Sequence, residues 1–312
     1  MTAPDPTARP LHGWIILDKP VGLGSTQAVS AVKRALREAG LPRAKVGHGG
    51  TLDPLASGVL PIAVGEATKL AGRMLDSDKE YEFTIQFGSQ TDTLDREGAV
   101  IASSEVQPGF GPVETILAQR FLGEIDQIPP AYSALKIDGE RAYDRARAGE
   151  QINLPSRRVV IHSWRYIAEG FVGEWGASPQ YATLGVRVSK GTYIRSLARD
   201  IALALGTVGH VTMLRRVKAG PFALKDAISL DILGDAAKAR AIAQHMLPLT
   251  AGLDDIPALP VTSEQAIALK QGEILAGDPR KQGLMLAAEG DKPVALVEAL
   301  GPEIRVVRGF NL

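Results

Sequence analysis

The chain has no cysteine among its 312 residues, which excludes a disulfide framework and any thiolate metal site. Its five histidines are scattered, and none falls in an H-E-x-x-H spacing, so a zinc centre of that kind is excluded as well. No apolar run approaches the roughly 18 residues that a membrane span needs. The stretch Met1–Pro10 carries Pro, Thr, Ala and Asp without an apolar core, so it does not read as a secretory signal. It reads as a short disordered tail over residues 1–10. No Walker A lysine follows a glycine loop and no G-x-G-x-x-G occurs; Gly22-Leu23-Gly24-Ser25 is too short a fragment to count. No internal repeat is present. These absences lead us to expect a cytoplasmic protein with no cofactor, no metal and no membrane association.

Net charge of one sign is also missing, since 35 basic residues balance 35 acidic ones. That argues against a non-specific polyanion binder. The charges are unevenly placed, however. Arg187 to Lys218 holds seven Lys or Arg against one acid, Asp200, whereas acids gather at 76–95 and 254–303. A composition of 45% hydrophobic and 22% charged residues is that of an ordinary globular protein, and the length suggests about two domains.

What is present in abundance is glycine at one place. Residues 47–58 read Gly-His-Gly-Gly-Thr-Leu-Asp-Pro-Leu-Ala-Ser-Gly. Glycines allow positive φ and a close backbone approach to a ligand. Pro54 fixes its own φ and pushes Asp53 towards extended geometry. Asp53 is therefore expected on a stiff, non-helical loop beside His48. Two readings follow from the residues: a presented reactive carboxylate, or a turn with Asp53 as its cap.

The periodicities around that loop predict an α+β protein. Trp14–Leu17 reads as a short strand entering the Lys19-Pro20 turn, and Ser25 as the cap of a helix to Ala39. Tyr81, Phe83, Ile85 and Phe87 alternate with polar residues, as in a half-buried strand. Residues 88–111 read mainly as loop, 112–121 as a helix, and 129–155 as an extended surface insertion. Residues 159–168 and 182–188 read as strands. Thr192 is a candidate cap for a helix over 193–205, which puts Arg195 near a helix N-terminus that attracts negative charge. After a linker near 251–260, a helix at 263–270 and strands at 284–287, 294–299 and 304–307 form a small C-terminal module.

Residues 47–69, GHGGTLDPLASGVLPIAVGEATK, resemble the signature of the TruB family of pseudouridine synthases. Five further blocks match in order: Leu17-Asp18-Lys19-Pro20 with Gly22 and Ser25; Asp76–Tyr81; Tyr132–Lys136; Ser189–Arg195; and His210–Arg216. The resemblance implies a catalytic domain over 11–252 built on a central mixed, mostly antiparallel sheet, with an RNA-gripping insertion at 129–155. It also implies a PUA-like RNA-binding β-barrel over 253–312. The implied activity is isomerisation of uridine 55 in the tRNA T loop, needing no cofactor, no metal and no guide RNA, by a protein expected to be a monomer.

By that resemblance Asp53 is the nucleophile, a role carboxylates take at such centres. Arg195 is its partner, and a neighbouring guanidinium favours the ionised carboxylate. The target base must be flipped out of its loop, at a cost of a few kcal/mol. Tyr81 is then both stacking platform and proton acceptor, worth about 1–3 kcal/mol of stacking. His48 braces the space the base leaves, and Tyr193 and Leu214 line the pocket. Lys19, Pro20 and Gly47 are structural support. The insertion and the basic cluster at 187–218 are expected to clamp the RNA loop, which is read by shape and stacking. Three rivals stand beside this reading. One is a guide-RNA-dependent relative, and another a tRNA-binding folding chaperone without essential chemistry. The third, a hydrolase built on Ser25, His48 and Asp53, lacks any G-x-S-x-G elbow.

Overall fold

The computed structural model describes residues 10–108, 110–133, 135–137, 139–150, 152–171 and 180–312. The expected tail, save Pro10, lies outside these, as do Ala134, Asp138 and Gln151 of the 129–155 insertion.

The first half runs β1 (Gly13–Lys19), α1 (Ser25–Glu38), β2 (Val46–His48), β3 (Ser57–Val64), α2 (Ala71–Asp76), β4 (Lys79–Phe87), β5 (Ser89–Thr91), β6 (Val100–Ser103), α3 (Phe110–Arg120) and β7 (Gly123–Gln127). The insertion contributes β8 (Lys136–Ile137), β9 (Glu140–Arg141) and α4 (Ala142–Arg147). Then come β10 (Arg157–Phe171), β11 (Gln180–Val188), α5 (Ile194–Ala204), β12 (Gly209–Ala219), β13 (Phe222–Ala223), α6 (Leu230–Lys238) and β14 (Leu247–Pro248). The last unit is β15 (Ala258–Pro260), α7 (Ser263–Gln271), β16 (Leu275–Ala276), β17 (Gln282–Glu289), β18 (Lys292–Leu300) and β19 (Glu303–Gly309).

Ten strands form one sheet in the order β14-β1-β3-β12-β4-β11-β10-β7, with β2 joined to β3 and β13 to β12. The fold class is α+β as expected. The sheet is mixed because one pair, β12 with β3, is parallel, while the neighbours on either side are antiparallel. The parallel join brings residues 158 positions apart into register, Arg215 beside Ser57 and Arg216 beside Gly58. The C-terminal strands form a second, curled sheet in the order β15-β17-β18-β19-β16, a PUA-like arrangement.

Local sequence explains most elements. In β4 the apolar alternation buries Phe83, Ile85 and Phe87 on one face. In β11, Ala182, Leu184, Val186 and Val188 are buried likewise. β1 is buried on both faces: Ile15 and Leu17 join one packed cluster with α1 and α6, whereas Trp14 and Ile16 join another. That is why it reads as a continuous apolar run.

Two helix starts differ from the sequence reading. The cap of α1 is Gly24, whose N–H donates to Gln27 Oε1, because the Ser25 hydroxyl is used elsewhere. The cap of α5 is Tyr193, because the Thr192 hydroxyl donates back to Ser189 O at 3.0 Å. The stretch at 88–111 is not all loop: β5 and β6 form a small hairpin. The second sheet is not independent of the first. Leu286, Leu296 and Phe310 belong to the same packed cluster as Trp14, Ala67, Leu70 and Met74.

Candidate active site

Asp53 sits on the loop between β2 and β3, and three separate anchors hold that loop. From the helix side, the Ser25 hydroxyl donates to Leu52 O at 2.9 Å and accepts from Leu52 N–H at 2.8 Å. From the turn after β1, Gly22 N–H donates to Pro54 O at 2.7 Å. The ammonium of Lys19 donates to Pro20 O, Leu23 O and Pro54 O at 2.9, 2.7 and 3.3 Å. From below, the Arg216 guanidinium donates to Val59 O at 2.8 Å, and to Thr51 O and Gly50 O at 3.2 Å each. Backbone carbonyls tied by charged donors are held more firmly than by neutral ones.

Two glycines let the loop lie this close to its floor. Gly58 has φ +103°, and a Cβ there would stand 2.2 Å from Arg216 O. A Cβ on Gly49 would stand 2.6 Å from Met74 Cβ. Gly47 carries no such constraint, since a Cβ there meets open space.

Sheet register brings the pieces together. Lys19 pairs with Gly58, Gly58 with Arg216, Arg216 with Tyr81, and Tyr81 with Val186. One row across five strands thus carries the loop's two buried cations and Tyr81. Tyr81 and Leu214 are partly buried, and each packs against both the α1/α6 core and the α3/α5 core. They lie where the two halves of the large sheet's cores meet.

Arg195 enters from the first turn of α5, with its side chain only 8% exposed. Its Nε lies 3.0 Å from Asp53 Oδ2, a charge contact without hydrogen-bond alignment. The rest of the guanidinium is fixed by Thr93 O at 2.8 Å and Tyr132 O at 3.0 Å. It also approaches Asp95 Oδ2 at 3.4 Å. Asp95 is itself held by Thr93 Oγ1 at 2.6 Å and Glu97 N–H at 3.0 Å. Arg195 therefore stands between two carboxylates. Asp95 is the buried one and Asp53, 39% exposed, the one presented to solvent.

The other expected residues are placed as follows. His48 ends β2, with Nδ1 buried and no hydrogen-bond partner among the described residues. Burial, reinforced by the Arg216 charge, holds its pKa below the usual imidazole value, so it is neutral at pH 7. Burial is also the main reason Lys19 is lowered to about 8; Asp53 opposes that shift and Arg216 adds to it. Tyr193 is held through its backbone, which exchanges hydrogen bonds with the Gln127 side chain. Its ring is covered by Arg157, 4.6 Å from the centroid. Leu214 pairs with Phe83 on β4, and Pro20 is exposed at the turn after Lys19.

Two groups of the site carry no mark of a role in the sequence motifs: Arg216 lies within the last of the matching blocks, and Asp95 within an acidic stretch. Adjacent arginines on a strand were the available signal for the first: strand alternation sends one outward, where Arg215 meets Asp18 at 2.7 Å, and the other inward. Nothing local marks Asp95.

The basic cluster at 187–218 turns out to be engaged within the protein. Arg187 pairs with Asp78, Lys190 with Asp76, Arg199 with Asp200 and Lys218 with Glu80. Arg195, Arg215 and Arg216 are occupied as described above.

A carboxylate on an anchored loop, beside a buried guanidinium, can attack or stabilise an electron-poor centre. A cavity of about 400 Å³ lies beside Trp164 and Leu117, and one of about 140 Å³ in the C-terminal unit; Asp53 lines neither. Among the described residues no cluster of three or more His, Cys, Asp or Glu could hold a metal ion. Nor is any helix there long and apolar enough to cross a membrane.

Comparison with known proteins places the chain in a known enzyme class. The chain matches the TruB family pseudouridylate synthase N-terminal domain over residues 34–194 and the tRNA pseudouridylate synthase B C-terminal domain over residues 195–254. It belongs to the TruB family of pseudouridylate synthases, which are isomerases. A protein named tRNA pseudouridine synthase B from Novosphingobium aromaticivorans is 60% identical over 97% of this chain and 98% of its own. One of the same name from Zymomonas mobilis is 60% identical over 99% and 98%. Among solved structures, a Cbf5–Nop10–Gar1 complex matches with TM-score 0.71 at 26% identity, over 96% of this chain and 85% of that chain. An H/ACA RNP bound to a substrate RNA containing 2′-deoxyuridine matches with TM-score 0.69, also at 26% identity and with the same coverage.

Proposed function

We propose that this protein converts uridine 55 in the T loop of tRNA to pseudouridine in the cytoplasm, without a guide RNA, using Asp53 as the nucleophile. The observation that carries the proposal is the Asp53–Arg195 contact at 3.0 Å on a loop anchored from three sides. Fixing the acid before substrate arrives removes the cost of organising it during the reaction. The two relatives at 60% identity support tRNA as the substrate. The H/ACA neighbours support the uridine chemistry at lower identity.

In the reaction the C1′–N1 bond breaks and a C1′–C5 bond forms. The C5 proton leaves, a proton is gained at N1, and Asp53 is regenerated, so atoms balance without a co-reactant. Tyr81, at the meeting of the two cores, offers its ring to the flipped base and its hydroxyl to the departing proton. Leu214 supplies an apolar wall beside it. Neutral His48 braces the space the flipped base leaves, and Tyr193 bounds the site at the start of α5. Lys19 supports the loop through Pro54 O, with Pro20 O sharing the same ammonium. The insertion at 129–155 and the C-terminal unit at 253–312 add contacts to the RNA.

The test is Asp53→Asn, assayed for pseudouridine in a T-stem-loop transcript with protein alone. Loss of turnover with near-normal tRNA affinity is expected, because Asn keeps the shape without the nucleophile. Activity within about tenfold of wild type would refute the role, since a covalent nucleophile cannot be spared so cheaply. Activity appearing only when a guide RNA is added would refute the stand-alone reading.

A further inference from the structure

The positive charge expected to meet RNA lies largely in the 187–218 cluster, and there each cation already has an internal partner. Free positive charge is found on another face. Lys33, Arg34 and Arg37 on α1, and Arg43 and Lys45 in the loop after it, are all exposed. None of the five makes a side-chain hydrogen bond or ion pair with a described residue, whereas most other arginines do. Between Thr26 and Leu52 the one acid is Glu38. Glu38 lies within electrostatic reach of Lys238 at the end of α6, where Lys238 also pairs with Asp235.

The placement is directional. At 3.6 residues per turn, Thr26, Ser30, Lys33, Arg34 and Arg37 share one stripe of α1. The opposite stripe, Ala28, Val29, Val32, Ala35 and Leu36, is buried in the core. The stripe begins beside Ser25, whose hydroxyl holds Leu52, one residue from Asp53. It ends about 18 Å further on, at Arg37, given a rise of about 1.5 Å per residue. The chain then returns through Arg43 and Lys45 directly into β2 and His48. The catalytic loop therefore lies at one end of the stripe, and unpaired cations fill the other.

We propose that this α1 face, Lys33, Arg34 and Arg37 with Arg43 and Lys45, is a phosphate-binding track for the part of the tRNA outside the modified T loop. The inference rests on tRNA being the substrate. A duplex presents one negative charge per about 1.7 Å of its axis, so an arm crossing an 18 Å stripe offers several phosphates to these cations. Phosphate contacts of this kind position the RNA without reading its sequence. They add affinity for an intact tRNA that an isolated hairpin, ending near Asp53, does not gain.

The experiment compares wild type with the triple variant Lys33→Ala, Arg34→Ala, Arg37→Ala. Alanine is the best helix former at exposed positions, so α1 is retained. Binding is measured for a full-length tRNA transcript and for a T-stem-loop hairpin across a salt series, and single-turnover rates are measured at saturating RNA. The variant is expected to bind full-length tRNA about 10–100-fold more weakly near 0.1 M salt, with the log Kd against log salt slope reduced by about 2–3. Hairpin affinity should stay within about twofold, because the hairpin leaves the track empty. The saturated rate should be unchanged on both RNAs. Unchanged tRNA affinity and salt slope would overturn the proposal. Equal weakening for hairpin and tRNA would overturn it too, by placing these cations at the modified loop itself. If wild type made no pseudouridine in either RNA, the functional reading would fail instead, and that result is distinct from both.

Discussion

Replacing Arg195 by methionine should separate what the guanidinium does for the fold from what it does for Asp53. Methionine keeps the length and apolar stem of the side chain while deleting two hydrogen bonds, to Thr93 O and Tyr132 O. It also strands Asp95, whose side chain is 12% exposed and has Arg195 at 3.4 Å. Removing one partner of a buried pair costs about 3–5 kcal/mol. Most of that arises at Asp95, because Asp53 is well exposed and its share is screened by solvent. Unfolding entropy of about 2.1 cal/mol/K per residue gives roughly 0.6 kcal/mol/K for this chain, so the melting temperature should fall by about 5–8 °C. Adding Asp95→Asn removes the stranded charge and should restore half or more of the loss. The single-turnover rate, read as pseudouridine formed in a T-stem-loop, should stay low in both variants because Asp53 has lost its partner. Contacting residues couple, so the double variant is informative where either single one is not. A single variant that melts like wild type would refute the buried-pair argument. A double variant that regained wild-type rate would show that Arg195 acts only by neutralising Asp95.

Three further outcomes follow from the geometry. Arg216→Lys keeps the charge but loses the fork that reaches Gly50, Thr51 and Val59 together; circular dichroism should be unchanged while turnover falls about 100-fold, the cost of a roughly 1 Å misplacement, and a wild-type rate would contradict the anchoring role. Truncation after Gly252 removes Leu253, Leu286, Leu296 and Phe310 from a core shared with Trp14 and Met74. At about 1.5–3 kcal/mol per buried side chain the loss has an upper bound of roughly 6–12 kcal/mol, so the shortened chain should not unfold cooperatively, and a soluble fragment with a sharp thermal transition would refute this. Lys19 has a folded pKa of about 8 against an ordinary 10.5. Between those values the unfolded chain still holds a proton the folded chain has released, so stability rises with pH there, by up to about 1.4 kcal/mol per pH unit. Denaturant titrations should show this slope in wild type and its loss in Lys19→Met; equal slopes would show that Lys19 titrates normally.

The reach of sequence reasoning is clear from particular residues. Strand alternation at Tyr81–Phe87 and Ala182–Val188, and the apolar stripes of α1 and α5, are local signals, because side-chain direction repeats every two residues in a strand and about every 3.6 in a helix. The glycine-proline loop around Asp53 was legible for the same reason, since backbone permission and restriction are properties of the residues themselves. The last helix and the three long strands that follow it, β17 to β19, were legible on these grounds as well, though the short β15 and β16 were not. The two helix caps were misread because Ser25 and Thr192 are good caps by composition, and only the folded chain offers Leu52 and Ser189 as competing partners.

Tertiary structure alone decided the rest. Whether a cation is free or spent depends on which carboxylates or carbonyls the fold carries to it. That is a distance of a few ångströms between residues often a hundred or more apart in sequence, as for Lys190 with Asp76. Composition pointed to 187–218 as the free positive charge; in the fold those cations are paired, whereas Lys33, Arg34 and Arg37 on α1 are not. Likewise Arg216 became the floor of the loop through one parallel strand pair, and Asp95 became the second carboxylate on Arg195 through a hairpin hidden in an apparent loop. The chain itself determined which groups could do the chemistry, because reactivity and backbone freedom belong to single residues. Register and packing determined which of them stand together, because charge interactions fall off with distance and only the fold sets that distance.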